Sequence, residues 1–341
     1  MSYQIGPYKL KSKLLLAPMA GITDRPYRDV CRKYGAGLTS SEMITSDLSL
    51  INTKKSQQRL PQRNEPGPRS AQIVGTEPKV MAIAARFNVE HGAQIIDINM
   101  GCPAKKVCSK AAGSALMQDP DLVKKILSEI VAAVDVPVTL KIRTGWAKTQ
   151  RNALDIAKIA EDSGIVSLAV HGRTRNQGYT GFAEYETIRQ IKKSLSIPIL
   201  ANGDIKNIND ARFIFDYTQV DGLMLGRISH GRPWIFKEIN DTLVNNSPPT
   251  PISTKEKLET IIAHIFAIHR YYGTDQGIRI ARKHIGWYLS HLVGHDAHLL
   301  KTLTRKLFPI KDANEQLETL DNVLRDIVTK HDLKTESDPI N

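Results

Sequence analysis

The chain has 341 residues, 41% of them hydrophobic and 24% charged, and 47 Lys and Arg against 35 Asp and Glu leave a formal charge of +12. That length can bury a full core as one large domain or a large one with a smaller. No apolar run approaches the ~20 residues of a membrane helix, and Leu14–Leu16, behind a basic start, is too short for a secretory leader.

Cys31, Cys102 and Cys108 form no C-x-x-C pair, so neither a disulfide framework nor a zinc site is suggested. A reducing, cytoplasmic setting without a metal is expected. The positive excess points to a polyanionic partner, most often nucleic acid, although basic enzymes without one are common.

From Leu14 to Arg227 a theme recurs every 25 to 30 residues: a short apolar run, a polar or glycine-rich turn, then a helical pattern. The runs are LLLAP (14–18), LTSSEM (38–43), SAQIVG (70–75), IIDINM (95–100), VTLKIR (138–143), SLAVHG (167–172), PILANG (198–203) and GLMLGR (222–227). Between them lie amphipathic stretches such as PDLVKKILSEIVAAV and NALDIAKIAEDSG. These eight βα units predict an α/β fold, a (β/α)8 TIM barrel. The rival, an open doubly wound sheet, lacks a G-x-G-x-x-G or Walker A loop after any strand.

A barrel of this kind carries its chemistry at the C-terminal strand ends. In order those ends read Pro18-Met19-Ala20, Glu42, Gln72, Asn99 with Cys102, Lys141 with Arg143, His171, Asn202-Gly203-Asp204, and Gly226-Arg227. Singly, each has a plain structural use: Glu42 or Asp204 as a helix cap, His171 in the core, Lys141 reaching along the surface. The turns ANGDI and LGRIS sit where barrels commonly bind phosphate, and Arg227 offers a bidentate contact. Lys141 has two readings, a Schiff-base amine or an ammonium beside the N1/O2 edge of a flavin, and Gln72 suits the flavin better.

After Arg227, LVNNSPPTPIST reads as a linker, placed at 244–252 between a barrel domain (1–243) and a helical-bundle domain (253–333). Ser253 with Glu256 makes a capping box for a helix to Gly273. Helices over 276–293, 296–307 and 312–330 follow, then a frayed tail at 334–341. Arg279, Arg282 and Lys283 lie beside the apolar face of the second of these helices, near Trp287 and Tyr288. They are either a solvated charged face or an RNA-contacting one.

Together, LAPMAGITDRPYR, AQIVG, DINMGCPAKKV, KIRTGW, VHGRTR, ANGDI, GRPWIF and ARKHIGWY resemble the tRNA-dihydrouridine synthases, most closely the bacterial B-type, from Leu14 to Tyr288. The resemblance implies an FMN-binding barrel with a helical tRNA-binding domain. It implies reduction of the C5=C6 bond of D-loop uridines, with NADPH or NADH as reductant. It places Pro18, Met19 and Ala20 on the flavin's face and Gln72 and Lys141 at its ring. His171, Asn202, Gly203, Asp204, Gly226 and Arg227 would hold its ribityl phosphate and tail. Met117 and the turn NQGYTGFAEY depart from the expected pattern.

Hydride from reduced FMN would reach C6 of uracil, and Cys102 would protonate C5 from the opposite face. A thiol of pKa about 8.5 is mostly protonated at neutral pH yet acidic enough to donate. Asn99, Lys141 or Arg143 would steady the enolate oxygen. Burial explains Cys31, and nothing asks for chemistry at Cys108. The target base must leave its stack, with Lys105 and Lys106 placed to meet the RNA backbone or else merely solvated. A monomer acting on tRNA is expected. The alternatives are an FMN barrel oxidoreductase for a small molecule and a non-catalytic tRNA-binding factor.

Overall fold

In a computed structural model describing residues 3–244 and 247–336, the apolar runs become parallel strands. They are β1 (Leu14–Leu16), β2 in two pieces (Leu38–Thr39 and Ile44–Thr45), β3 (Ser70–Val74), β4 (Ile95–Met100), β5 (Val138–Arg143), β6 (Ser167–His171), β7 (Ile199–Asn202) and β8 (Gly222–Leu225). The sheet runs from the first piece of β2 through β1, β8, β7, β6, β5, β4 and β3 to the second piece of β2. A parallel bridge from Ser40 to Ser70 joins these ends, so the ring closes through a broken second strand.

Helices α1 (Arg25–Lys33), α2 (Pro78–Glu90), α3 (Pro120–Ala133), α4 (Ala153–Asp162), α5 (Glu186–Ser194) and α6 (Ile208–Thr218) follow six of the strands. Acid-proline pairs start two of them, with Glu77 and Asp119 accepting the Val80 and Leu122 N–H groups. After β2 the expected helix is reduced to short turns at Leu48–Leu50 and Lys54–Gln57, because Pro61, Pro66 and Pro68 interrupt the segment.

Strand alternation decides what fills the ring. The inward set begins apolar, with Leu15, Leu38, Ile95, Ala169, Leu200 and Met224 packed together over Ile5 of an N-terminal hairpin, Gln4–Ile5 with Tyr8–Lys9. Two residues further along each strand, the same face carries Ala17, Asp97, His171, Asn202 and Gly226. The interior therefore passes from an apolar floor to a polar mouth, which is why the polar strand ends cluster.

The chain divides into two compact units: one holds residues up to Ile228 with Phe236–Pro248, the other Ser229–Ile235 with the chain from Pro249 on. Residues 229–235, placed by the sequence in a barrel domain of 1–243, thus group with the helices instead. His230 stacks on Trp287 at 4.1 Å, and Gly231 lies so close that a Cβ would stand 2.3 Å from the Trp287 carbonyl. The helices of this unit are α7 (Thr254–Tyr272), α8 (Thr274–Val293), α9 (Ala297–Leu307) and α10 (Ala313–Glu336). Ser253 caps α7 by accepting the Glu256 N–H at 3.1 Å. Residues 247–252, within the stretch read as linker, have no regular structure, while 245–246 lie outside the described residues. Helix α10 runs to Glu336, three residues into the stretch read as a frayed tail, and 337–341 lie outside the described residues. No described helix is long and apolar enough to cross a membrane.

Candidate active site

The thiol loop begins where β4 stops. Asn99 turns its side-chain oxygen back to accept the N–H groups of Gly101 at 3.1 Å and Cys102 at 2.9 Å, which reverses the chain before Pro103. The Cys102 carbonyl accepts the Ser114 hydroxyl at 2.8 Å, closing the loop from its far side. Gly113, at φ +62°, is required there because a Cβ would lie 2.9 Å from the Cys102 oxygen and 3.1 Å from its Cβ. The Cys102 thiol is half-buried, and burial pushes it up despite an Ala104 N–H and the Arg143 and Lys141 charges. A thiol raised in this way stays protonated at neutral pH.

Gln72 and Asn99 form a directed amide chain. The Asn99 Nδ2 donates to Gln72 Oε1 at 2.8 Å, and Gln72 Nε2 donates to Asp97 Oδ2 at 2.7 Å. On the neighbouring strand Lys141 pairs in register with Asn99 and donates to Asn202 Oδ1 at 3.1 Å. Burial, reinforced by Arg143, lowers Lys141 to about 8, which leaves it mostly cationic at neutral pH. Asn202 is itself oriented by donating to the Met224 carbonyl at 2.7 Å.

Arg143 is 1% exposed and donates to the carbonyls of Gly101 (2.8 Å), Thr174 (3.0 Å) and Gly178 (2.8 Å). Its guanidinium straps the thiol loop to the loop after β6, a positioning role.

At the other side of the mouth, Gly203 and Asp204 both have positive φ, +119° and +45°, a turn that aims successive backbone N–H groups. The Asp204 carboxylate is spoken for: Arg173 donates to it at 2.7 Å, the Ala183 N–H at 2.8 Å, and Arg227 stands at 3.5 Å. Burial opposes its ionisation, but the Ala183 N–H and Arg173 outweigh it and hold the carboxyl below its usual range. His171 is kept neutral by burial and by Lys141, Arg143, Arg173 and Arg227. Arg227 is exposed and lies over the Tyr179 ring at 5.4 Å, in the divergent turn after β6. A Cβ at Gly226 would lie in ordinary contact with Met19 Sδ at 3.7 Å and Ala17 Cβ at 3.8 Å, so this glycine stands beside the Pro18-Met19-Ala20 turn. Glu42 braces that turn, accepting the Gly21 N–H at 2.6 Å and Arg59 at 2.7 Å.

The sequence reading did not single out Asp97, Thr139, Arg173 or Ser114. A signal for Asp97 did exist: a carboxylate within IIDIN, two residues before Asn99, falls on the same inward face. Lys105 and Lys106 are exposed on a turn of helix after the thiol. Of the tail cations, Arg279 is exposed and Lys283 half-buried, while Arg282 donates to the Ile310 carbonyl at 3.4 Å and so braces the α9–α10 turn. Lys301, Arg305 and Lys306, cations the sequence reading did not single out, are exposed on α9.

A closed α/β barrel whose mouth holds a protonated thiol, a buried ammonium and a glycine-rich turn is the setting of a barrel oxidoreductase. The chain belongs to the dihydrouridine synthase family, whose model matches residues 15–328. It is 57% identical over 291 residues to tRNA-dihydrouridine synthase B of Pseudomonas syringae pv. tomato, covering 85% of this chain and 86% of that one. It is 53% identical over 320 residues to tRNA-dihydrouridine synthase B of Escherichia coli K12, covering 93% and 98%. Among solved structures, a 2-naphthoyl-CoA reductase complex shares the barrel at TM-score 0.57 and 13% identity, over 72% of this chain and 52% of that one. The family supports a tRNA-dihydrouridine synthase activity, an oxidoreductase acting on tRNA.

Proposed function

We infer that this protein binds FMN at the barrel mouth and, in the cytoplasm and as a monomer, reduces D-loop uridines of tRNA with NADPH or NADH as the source of electrons. The donor set fits the cofactor. A buried cation, Lys141, stands at depth for an electron-rich ring edge, with Gln72 on the far side of Asn99. The Asn202-Gly203-Asp204 turn, Gly226 and exposed Arg227 supply N–H groups and charge for a phosphate, with His171 neutral among them. Pro18, Met19 and Ala20 would cover the ring face. When bound and reduced, FMN supplies the hydride that saturates C6 of uracil.

The rest falls to the chain's own groups. Cys102 holds the proton destined for C5 on its Sγ, and the Asn99 clamp fixes where that sulfur stands. Lys141 offers positive charge toward the oxygen that gains electron density when C6 is attacked. Lys105, Lys106 and Arg279 would meet phosphates around an extruded base. The single observation that carries this reading is a protonated thiol on a clamped loop, one strand away from a buried ammonium. The test is sequencing-based mapping of dihydrouridine in tRNA from cells with and without the gene, beside the colour of the purified protein. Loss of D-loop dihydrouridine and a yellow, FMN-releasing protein are expected; an unchanged map, or a colourless protein that cannot be reconstituted, overturns it.

A further inference from the structure

Asp97 is an acid buried in the barrel interior, in register between Gln72 on β3 and Thr139 on β5, one layer below Asn99 and Lys141. The Thr139 hydroxyl donates to its Oδ1 at 2.6 Å and the Gln72 amide to its Oδ2 at 2.7 Å. Two amides then run upward to the thiol loop, and each could in principle sit either way round. Burial pushes the Asp97 carboxyl up, against the Thr139 and Gln72 hydrogen bonds and the Lys141 charge; with the Thr139 hydroxyl donating to one oxygen, the group facing the other is the Gln72 NH2. Gln72 then presents its oxygen upward, which draws the Asn99 NH2. Asn99 in turn presents its oxygen to the Gly101 and Cys102 N–H groups.

We propose that Asp97 is a positioning residue that fixes the polarity of the Gln72–Asn99 amide chain and thereby holds the Cys102 loop in its reactive place. The catalytic use of that loop rests on the function proposed above; the positioning itself does not. Removing the acceptor leaves Gln72 free to turn, and each amide above it to follow, until the Cys102 N–H faces a donor. Asn at 97 keeps an oxygen for Gln72 while its NH2 meets a Thr139 hydroxyl that can turn to accept. Leu offers nothing.

The experiment compares the FMN-loaded parent protein with Asp97→Leu and Asp97→Asn in two readouts. The first is the rate at which iodoacetamide labels Cys102, followed by peptide mass spectrometry with the fully buried Cys31 as an unfolding control. Asp97→Leu should label Cys102 about fivefold faster or more with Cys31 still protected, as a locally released loop does; Asp97→Asn should stay within about twofold of the parent. The second is single-turnover uridine reduction by the pre-reduced protein at saturating tRNA. It should fall about tenfold or more in Asp97→Leu and recover to within about threefold in Asp97→Asn, at equal tRNA affinity. Parent-like labelling in Asp97→Leu overturns the proposal, as does equal labelling in the Leu and Asn variants. Should Cys31 label as well, Asp97→Leu has unfolded and Gln72→Leu decides: it cuts the link between the carboxylate and Asn99 while leaving the Thr139 bond on Asp97, and parent-like Cys102 labelling there overturns the proposal. A parent that reduces no uridine refutes the function reading, while the labelling still judges Asp97.

Discussion

The barrel mouth and the helical unit both bury ionisable groups, and they do so in opposite ways. At the mouth, Asp97, Gln72, Asn99, Lys141 and Asn202 are joined by bonds whose donors and acceptors match, so burial shapes reactivity while position stays fixed. In the helical unit His264 and His284 pack edge-on beside Tyr288 and Trp287, His291 lies by Trp234 and His269 meets Gln316, and burial is the first cause holding each below its ordinary value. A strand end can network a polar side chain because neighbouring strands present partners at fixed register; a helix interface offers mostly side-chain packing. The first arrangement fixes a candidate site, the second a core whose burial favours the neutral imidazole.

The largest break in this contrast should come from the thiol. Cys102→Ala should keep its flavin and still oxidise NADPH, yet lose uridine reduction about 10²–10⁴-fold, the usual share of a positioned acid. Stopped-flow measurement of the two half-reactions separates them, and near-parent turnover of tRNA would place the proton source elsewhere.

Next comes the loop's fit. Gly113→Val sets a β-branched side chain at φ +62° with its Cβ 2.9 Å from the Cys102 oxygen. Strain of about 1–3 kcal/mol and a displaced thiol should lower uridine reduction about 10–100-fold. Flavin content should not change, because the loop contributes no proposed cofactor contact; equal loss of both would mean the barrel mouth fails as one piece.

Acid distinguishes the two regions by stability. His264 is lowered to about 3 and His284 well below its ordinary value, so the unfolded chain binds protons at these positions that the folded one refuses. Their contribution is complete above the unfolded value of about 6.5 and is lost as pH falls below it, at about 1.4 kcal/mol per pH unit for each imidazole kept neutral. Hydrogen exchange between pH 7 and 4.5 should therefore open α7 and α8 before the barrel strands. If strands and helices lose protection together, the histidines do not set the acid limit.

Smaller effects sharpen the electrostatic side. Arg227→Ala removes an exposed cation 3.5 Å from Asp204, and FMN affinity measured by fluorescence should weaken by about 1 kcal/mol. Arg279→Glu should flatten the slope of log K against log salt for tRNA by about 0.9 per lost phosphate contact, with melting unchanged. Arg282→Glu should do the reverse, lowering the melting temperature while leaving the slope alone, since it braces the Ile310 carbonyl. Equal slopes for parent and Arg279→Glu would move the RNA surface to cations such as Lys301, Arg305 and Lys306.

Much of this molecule was written in the order of its residues. Eight apolar runs with polar ends specify a closed parallel barrel, because period-two alternation and βα spacing leave few other ways to bury them. The run IIDINMGCP marks the thiol, and Ser253 marks the start of α7, because each signal is local. Tertiary structure alone decided which partner each charge meets. Arg143 and Lys141 share a strand and a face, yet Arg143 donates to the carbonyls of Gly101, Thr174 and Gly178 on two loops while Lys141 donates to the Asn202 side chain across the barrel. Arg282 braces a turn while Arg279, three residues earlier, stays exposed. Residues 229–235 join the helices through His230 and Gly231, contacts with α8 more than fifty residues away. A side chain's partners are set by loops distant in sequence that meet only when the barrel and the helices have formed, and a single sequence carries no local mark of such meetings.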